Sequence, residues 1–351
     1  MSICRACVTR RAQRRNVFHF PPATPPRSHA AARRTARFPA CRPTANPASS
    51  APSKLMETPS PKHPPTPSST PSPTPSPTPP PSPKQIICIK WGPFFTPRYV
   101  NVLHAMIARN ITGPFTLTCF TDDPAGIRPE VNCLPLPELG CTIPPDIPGK
   151  WRKTALWGTQ LSGMKGVALF VDLDSLIVGN IDDYFTYGSP DDVITARNWA
   201  HPLQRRGQTS VFRFTIGQHA YMLDNLRADP EGVARKYTWE QLYVTNCVKG
   251  GIKFWPESWT RHFRLHCLPV WPLRYFKTPR FPHGAKILTF PGGPNPPEVA
   301  VGLWRSEDPH RTVLEHIRHA WSLRKTPGAK WFKELKSYVR PTPWVAQQWK
   351  E

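Results

Sequence analysis

Acidic residues are almost absent from the first 84 residues of this chain. Residues 1–84 contain 13 Lys and Arg but a single acid, Glu57, and they are rich in Pro, Ser, Thr and Ala. Such a segment offers too little apolar surface to offset the entropy of ordering. Its proline repeats also lack the amide donors that helices and sheets need. We therefore expect a disordered Arg- and Pro-rich leader over residues 1–84, either dispensable or acting as a spacer or PxxP ligand.

The absence of acids in residues 1–55, together with their many arginines, is also typical of an organelle transit peptide. An upstream extension with initiation at Met56 would have the same composition. The sequence leaves these alternatives open.

Several other signals are missing. No apolar run reaches the roughly 18 residues that a membrane-spanning helix needs, and the start lacks the apolar core of a signal peptide. The nine cysteines are odd in number and irregularly spaced, which argues against a disulfide framework. We therefore expect a reducing compartment and a cytoplasmic protein, with a peripheral membrane contact as an option.

The formal net charge of +23 would suggest a nucleic-acid partner, but about +12 of it lies in residues 1–84. The rest of the chain carries 33 basic and 22 acidic residues. That excess favours anionic ligands such as sugar diphosphates, or an anionic membrane surface. With neither zinc-finger spacing nor an RNA-binding aromatic motif, we expect no nucleic-acid partner.

From Gln85 onward, short apolar runs alternate with helical patterns. The pattern predicts strands at 85–90, 115–120, about 131–136 and 167–171, and helices that begin at Thr96-Pro97 and at Trp151. Strands that alternate with helices predict an α/β fold, a mostly parallel central sheet covered on both faces. Such sheets bind ligands beyond the carboxyl ends of their strands.

Two carboxylates interrupt the most apolar part of the chain. The run Val167–Val171 is continuous and apolar, as for a strand buried on both faces, and Asp172-Leu-Asp174 follows it directly. Carboxylates two apart at the end of a strand can share one hard divalent cation, which prefers oxygen ligands. The alternative is a surface turn with solvated acids. For the nearby Asp182-Asp183 pair, a helix cap or a solvated loop is the better interpretation.

At these residues the chain resembles GT-A-fold glycosyltransferases, similar to family 8 and related bacterial polysaccharide enzymes. The resemblance rests on Leu169-Phe-Val-Asp-Leu-Asp-Ser-Leu-Ile-Val-Gly-Asn180 and on five shorter matches in order. These are Phe120-Thr-Asp-Asp123, Trp151-Arg-Lys153, Gln208-Thr-Ser-Val-Phe212, Glu240-Gln241 and Lys286-Ile-Leu-Thr-Phe-Pro-Gly292. It implies a GT-A (Rossmann-like) α/β/α sandwich.

The resemblance also implies roles for individual residues. Asp172 and Asp174 would hold Mn²⁺ or Mg²⁺ together with the nucleotide diphosphate. The residues that would contact the nucleotide sugar are Tyr99, Asp122, Lys153, Asp172, Arg264 and Gly292. The catalytic candidates Glu240 and Gln241 would face the sugar or the acceptor. Each has a plain structural alternative: a core aromatic for Tyr99, a turn acid for Asp122, and surface charges for Lys153, Arg264 and Glu240.

One position departs from the family pattern. A histidine usually precedes the closing glycine as a third metal ligand, but here the residue is Pro291, which has no ligating side-chain atom. Water or phosphate would complete the coordination, or His283 would substitute, or metal binding would be weaker. A degenerate, inactive member of the family is therefore an open alternative.

The predicted domain spans residues 85–305, and a basic helical extension spans 306–351. Asp308-Pro309 predicts a helix start, and Trp331, Phe332, Leu335 and Tyr338 alternate with lysines after the Pro327-Gly328 break. A basic amphipathic helix can lie on an anionic membrane; packing back onto the domain is the alternative.

The leading hypothesis is therefore transfer of a sugar from a UDP- or GDP-sugar donor to a glycan or lipid-linked acceptor. A sugar nucleotidyltransferase and a catalytically inactive nucleotide- or glycan-binding protein are the alternatives. Nucleotidyltransferases usually carry a Gly-rich basic loop after the first strand, which Lys90-Trp-Gly-Pro-Phe-Phe95 matches poorly.

Overall fold

The structure, a computed structural model, describes residues 82–351. Residues 1–81 of the predicted leader lie outside this range, and its last residue, Lys84, begins the first strand. The ten strands of this part are β1 (Lys84–Lys90), β2 (Phe115–Thr121), β3 (Asn132–Pro135), β4 (Val167–Val171), β5 (Leu176–Ile177), β6 (Ile194–Arg197), β7 (Gly207–Thr215), β8 (Lys253–Phe254), β9 (Thr260–His262) and β10 (Ile287–Thr289).

Its α-helices are α1 (Pro97–Arg109), α2 (Asp183–Thr186), α3 (Tyr221–Ala228), α4 (Pro230–Tyr237), α5 (Glu240–Cys247), α6 (Pro296–Val301), α7 (Val313–Ser322), α8 (Trp331–Lys336) and α9 (Pro343–Gln348). Three short 3₁₀ helices (Trp151–Trp157, Leu273–Tyr275, Leu323–Lys325) and one π-helical turn (Phe263–Cys267) complete the described elements. The helix predicted at Trp151 is therefore 3₁₀ in type.

The central sheet has seven strands in the order β3-β2-β1-β4-β7-β6-β8. The neighbouring strands β3, β2, β1 and β4 run parallel to one another. Strand β7 is antiparallel to both β4 and β6, and β8 is parallel to β6. The carboxyl ends of β1, β2 and β4 therefore meet at one edge, with Trp91, Asp122 and Asp172 directly after them. The predicted mostly parallel sheet is confirmed.

Both faces of this sheet are buried, because alternate residues of the central strands point to opposite sides. Leu169 and Val171 of β4 pack in the apolar core on one face with α1. Ala168 and Phe170 pack in the core on the other face, with the 3₁₀ helix Trp151–Trp157. This double burial explains why the sequence of β4 is apolar throughout, and it confirms the predicted α/β/α sandwich.

A second sheet has three strands in the order β5-β10-β9. The turn Asp172–Ser175 leads from β4 in the large sheet to β5 in the small one. Since β5 pairs antiparallel with β10, the loop that follows β10, including Gly292, lies beside this turn. The connection between the two sheets thus brings the acidic pair and the closing glycine together.

The C-terminal segment packs on the preceding domain. Arg109 of α1 donates to the carbonyls of Gln348 and Lys350, at 2.9 Å each, and the Trp349 ring lies 5.1 Å from Tyr99. The predicted boundary at residue 305 stays a prediction, but side chains on both sides of it are in contact. Across residues 82–351, no helix is long and apolar enough to cross a bilayer.

The predicted helix start at Asp308-Pro309 is wrong. Helix α7 begins at Val313, where Thr312 and Glu315 form a reciprocal capping box. Asp308 instead accepts a hydrogen bond from the backbone amide of Arg305.

Leu169→Ala should destabilise the fold by about 2 to 5 kcal/mol, because it opens a cavity in a strand buried on both faces. Urea unfolding monitored by circular dichroism measures this loss. Leu203→Ala, which truncates a fully exposed leucine, is the matched control and should leave the free energy of unfolding unchanged. Equal effects for the two variants would contradict the described core.

Candidate functional site

A cavity of about 1040 Å³ opens at the carboxyl ends of β1 and β4. Its inner wall includes Ile89, Trp91, Lys153, Asp172 and Asp174. The loop after β10 forms a second wall, and residues 304–307 and helix α8 form a third. The size is at the upper end for small-molecule sites, which gives room for an extended ligand or for two ligands.

The two predicted metal ligands line this cavity together. Asp172 follows the last residue of β4, and its backbone amide donates to the Ser210 carbonyl of β7 at 2.8 Å. The amide of Ser175 donates back to the Asp172 carbonyl at 3.0 Å, which closes a tight turn around Asp174. This turn holds both carboxylates at the cavity wall.

A single buried lysine neutralises one member of the pair. Lys153, only 5% exposed, places its Nζ 2.6 Å from Asp172 Oδ1 and 4.7 Å from the centre of the Phe170 ring. Asp174 forms no ion pair with any residue in 82–351. Burial, and then the negative charge of Asp172, raise the pKa of Asp174 to about 7. Asp174 therefore holds a proton more tightly than an ordinary aspartate, and its ionised form has no ion-pair partner within residues 82–351.

Behind this lysine lies a second buried carboxylate. Lys153 donates to the Thr209 carbonyl at 3.1 Å, and the Thr209 hydroxyl donates to Glu240 Oε2 at 2.8 Å. Glu240 is 2% exposed, and its Oε1 has no hydrogen-bond partner. Burial raises the pKa of Glu240 to about 7. Glu240 does not line the cavity, so it is connected to the site through Thr209 and Lys153.

The other predicted site residues divide into two groups. Arg264 and Gly292 line the cavity, whereas Asp122 and Gln241 do not. Asp122 accepts a hydrogen bond from the Gly92 amide at 2.8 Å, so it shapes the turn after β1. The structure thus brings Lys153, Asp172, Asp174, Arg264 and Gly292 together.

Tyr99 has an intermediate position. Its ring packs between Phe95, at 4.9 Å, and Trp349 of the C-terminal segment, at 5.1 Å. Burial, and then the charges of Glu298 and Asp174, raise the pKa of its hydroxyl. Tyr99 does not line the cavity, and its ring contacts the C-terminal segment through Trp349.

Several cavity residues were missed by the sequence analysis. They are Lys150, Arg274, Asn295, Glu298, Arg305, Lys333 and Lys336. Lys333 and Lys336 were seen only as the basic side of a helix, because their cavity position depends on how α8 packs against the domain. Asn295 and Glu298 follow the closing Gly292-Gly293 and could have been found from that proximity.

The donor set suits a hard divalent cation, because two carboxylates share one turn and one of them has no cationic partner. No group of three or more His, Cys, Asp or Glu that could hold a metal occurs in residues 82–351. Neither Pro291 nor His283 lines the cavity. Residues 172 and 174 would therefore supply two of the ligands, and water or phosphate oxygens the others.

Comparison with known proteins finds no matching family model and no matching curated protein. Among solved structures, the chain is similar to the bifunctional glycosyltransferase WbbM, at 10% identity and a TM-score of 0.44, with 61% of this chain and 47% of that chain covered. The chain thus spans about half the length of WbbM.

Two further structures are similar at comparable levels. One is galactosyltransferase LgtC in complex with donor and acceptor sugar analogs, at 11% identity and a TM-score of 0.44, covering 60% of this chain and 88% of that chain. The other is glycosyltransferase GlyE of Streptococcus pneumoniae TIGR4, at 12% identity and a TM-score of 0.43, covering 76% and 65%. All three of those proteins are glycosyltransferases.

The raised carboxyl pKa values predict how stability depends on pH without metal. Between the ordinary carboxyl pKa, about 4, and about 7, the unfolded chain is ionised at positions 174 and 240 whereas the folded protein keeps the protons. Unfolding then releases protons, so stability should fall as pH rises through this range. Asp174→Asn should flatten this decline and stabilise the metal-free protein at about pH 8 by roughly 1 to 3 kcal/mol.

Urea unfolding in EDTA across this pH range measures the effect. Asp191→Asn, at an exposed aspartate outside the cavity, is the control and should follow the wild-type curve. A wild-type-like decline in Asp174→Asn would show that the carboxylate is not held in an unfavourable environment.

Proposed function

We propose that the protein is a glycosyltransferase that moves a sugar from a UDP- or GDP-sugar to a glycan or lipid-linked acceptor. The observation that carries the proposal is the Asp172–Asp174 turn, in which buried Lys153 pairs only with Asp172, inside a large cavity whose lining has more basic than acidic residues. A divalent cation would complement the carboxylates of the turn, and its bound diphosphate would complement the basic residues of the cavity.

The cavity has separate features for the parts of such a donor. Its cations Lys150, Lys153 and Arg264 match the negative charge of a diphosphate. Gly292 has a φ of +75°, so the chain there turns in a way that other residues seldom adopt, and it presents no side chain to the cavity. The backbone at Gly292 would allow a ligand to approach closely.

Asp172 and Asp174 would hold Mn²⁺ or Mg²⁺, which acts as a Lewis acid and neutralises charge on the departing diphosphate. Lys153 adds a fixed positive charge beside it, since the Thr209 carbonyl and Asp172 hold its ammonium group on two sides. Glu240 orients Thr209 and so fixes that lysine. We therefore assign Glu240 a positioning role through Lys153 and not contact with the sugar.

Aromatic side chains contribute to two sides of the cavity. Trp91, Phe94 and Phe95 lie on one side, and Trp304 and Phe332 lie on the C-terminal side. Apolar and aromatic linings with a few convergent polar groups are typical of small-molecule sites. These faces suit the apolar faces of sugar rings in the acceptor or in the transferred residue.

The proposal predicts that a nucleotide sugar raises the melting temperature of the protein in the presence of Mn²⁺. At a donor concentration about a hundredfold above Kd, the stabilisation should be about 2.7 kcal/mol. Differential scanning fluorimetry with a panel of UDP- and GDP-sugars, with Mn²⁺ and with EDTA, measures it. Asp174→Asn should lose the Mn²⁺-dependent shift while remaining folded, and Asp191→Asn should keep it.

Turnover separates the alternatives. Release of UDP or GDP identifies a glycosyltransferase, whereas release of pyrophosphate from a nucleoside triphosphate and a sugar phosphate would identify a nucleotidyltransferase. A shift without turnover on any donor would identify an inactive binding protein. If no donor shifts the wild-type melting temperature with Mn²⁺, the proposal fails.

A further inference from the structure

Large apolar side chains are exposed at one side of the cavity mouth. They are Leu265, Val270, Trp271, Leu273 and Phe276, in the segment after β9, and Phe332 of α8; we call these six the apolar rim. Val270 is 71% exposed and Phe276 is 73% exposed. A cluster of this kind usually marks an interaction surface.

The two parts of the apolar rim are held together. The Trp271 and Phe332 rings lie 5.8 Å apart, nearly edge to face. Arg274 donates to the Lys336 carbonyl, and the Tyr275 hydroxyl donates to the Leu335 carbonyl, both at 2.5 Å. These contacts fix residues 271–275 against α8, so the Trp271 and Phe332 rings belong to one surface, and Val270 and Phe276 flank this fixed segment in sequence.

The two segments that carry the apolar rim are predominantly basic, although the exposed Glu307 also lines the cavity. No acidic residue occurs between Glu257 and Glu298. The one acid of α8, Glu334, is turned inward, with its Oε2 2.9 Å from Arg305 Nη2. Lys330 and Lys333 are exposed and make no ion pair within the described part of the chain, and the Lys336 ammonium lies 4.1 Å from the centre of the Phe332 ring.

Exposed aromatic and aliphatic side chains with unpaired lysines match an anionic lipid surface. Trp and Phe partition into the headgroup region, and lysines nearby are attracted to anionic headgroups. Leu265, Phe332, Lys333 and Lys336 also line the cavity, so the apolar rim continues into its mouth. A membrane bound to this surface would therefore lie at the opening of the site.

We propose that the apolar rim docks onto an anionic membrane surface and turns the cavity mouth toward the lipid headgroups. If the proposed glycosyl transfer holds, a lipid-borne acceptor then reaches the cavity without leaving the bilayer. The docking itself does not depend on that function. It is peripheral, since it uses side chains of a loop and a short helix.

The test is cosedimentation of the full chain with vesicles of phosphatidylcholine alone and with 30% phosphatidylserine. We expect binding to the anionic vesicles and little to the neutral ones. Val270→Glu/Phe276→Glu should lower the partition coefficient at least tenfold, because it removes two apolar contacts and adds two negative charges. The control Leu203→Glu/Gln204→Glu adds the same charge at exposed positions outside the apolar rim and should bind as the wild type does.

A fluorescence measurement excludes binding through the basic leader. Residues 1–84 contain no tryptophan, so quenching by brominated acyl chains reports only on the rest of the chain. Quenching should occur with wild-type protein and fall in Trp271→Phe, while cosedimentation persists.

Undiminished vesicle binding by the Val270→Glu/Phe276→Glu variant would overturn the proposal and place binding elsewhere, for example in the leader. If the wild-type protein does not bind vesicles but forms a dimer, and this variant is a monomer, the apolar rim is instead the contact surface for a second copy of the chain. Vesicle binding without any nucleotide-sugar shift would leave the docking intact and reject only the proposed function.

Discussion

The site depends on one electrostatic imbalance at the end of a buried strand. Asp172 and Asp174 share the turn that leads from the large sheet to the small one, and Lys153 pairs with Asp172 alone. The strand before the turn is buried on both faces among apolar side chains, where an unpaired carboxylate would be unfavourable. The turn holds both carboxylates at the cavity wall. Burial, and then repulsion from Asp172, raise the pKa of Asp174. A bound cation would offset both effects, so an arrangement that costs stability would serve binding.

The cavity wall is completed by a part of the chain far away in sequence. Residues 304–307 and α8 face the acidic turn, and Arg305 holds α8 in place through Glu334 at 2.9 Å. The C-terminal segment packs on the domain through apolar side chains such as Val345 and Trp349 and through the Arg305–Glu334 ion pair. It also contributes Phe332, Lys333 and Lys336 to the cavity mouth. The C-terminal segment can therefore pack on the domain and also face a membrane, because one face of α8 contacts the domain and another face is exposed.

Much of the fold was predictable because the signals are local. The continuous apolar run of β4 reports burial on both faces, and the abrupt Asp172-Leu-Asp174 marks the strand end. The features that could not be predicted from the sequence depend on packing between distant segments. The position of Glu240 behind Thr209, the cover of Tyr99 by Trp349, and the entry of Lys333 into the cavity all follow from contacts between distant segments. The start of α7 was predicted wrongly because aspartate is a common N-cap residue, whereas the helix begins after Thr312, which forms a capping box with Glu315.

The central claim is that the acidic turn binds a divalent cation together with a diphosphate. Electron paramagnetic resonance of Mn²⁺ tests it most directly, because only the free aqueous ion gives the strong six-line signal. The account predicts that the wild-type protein reduces this signal beyond what UDP or GDP alone does, and that the double variant Asp172→Asn/Asp174→Asn does not. A free Mn²⁺ signal that the wild-type protein leaves unchanged, with and without nucleoside diphosphate, would contradict it.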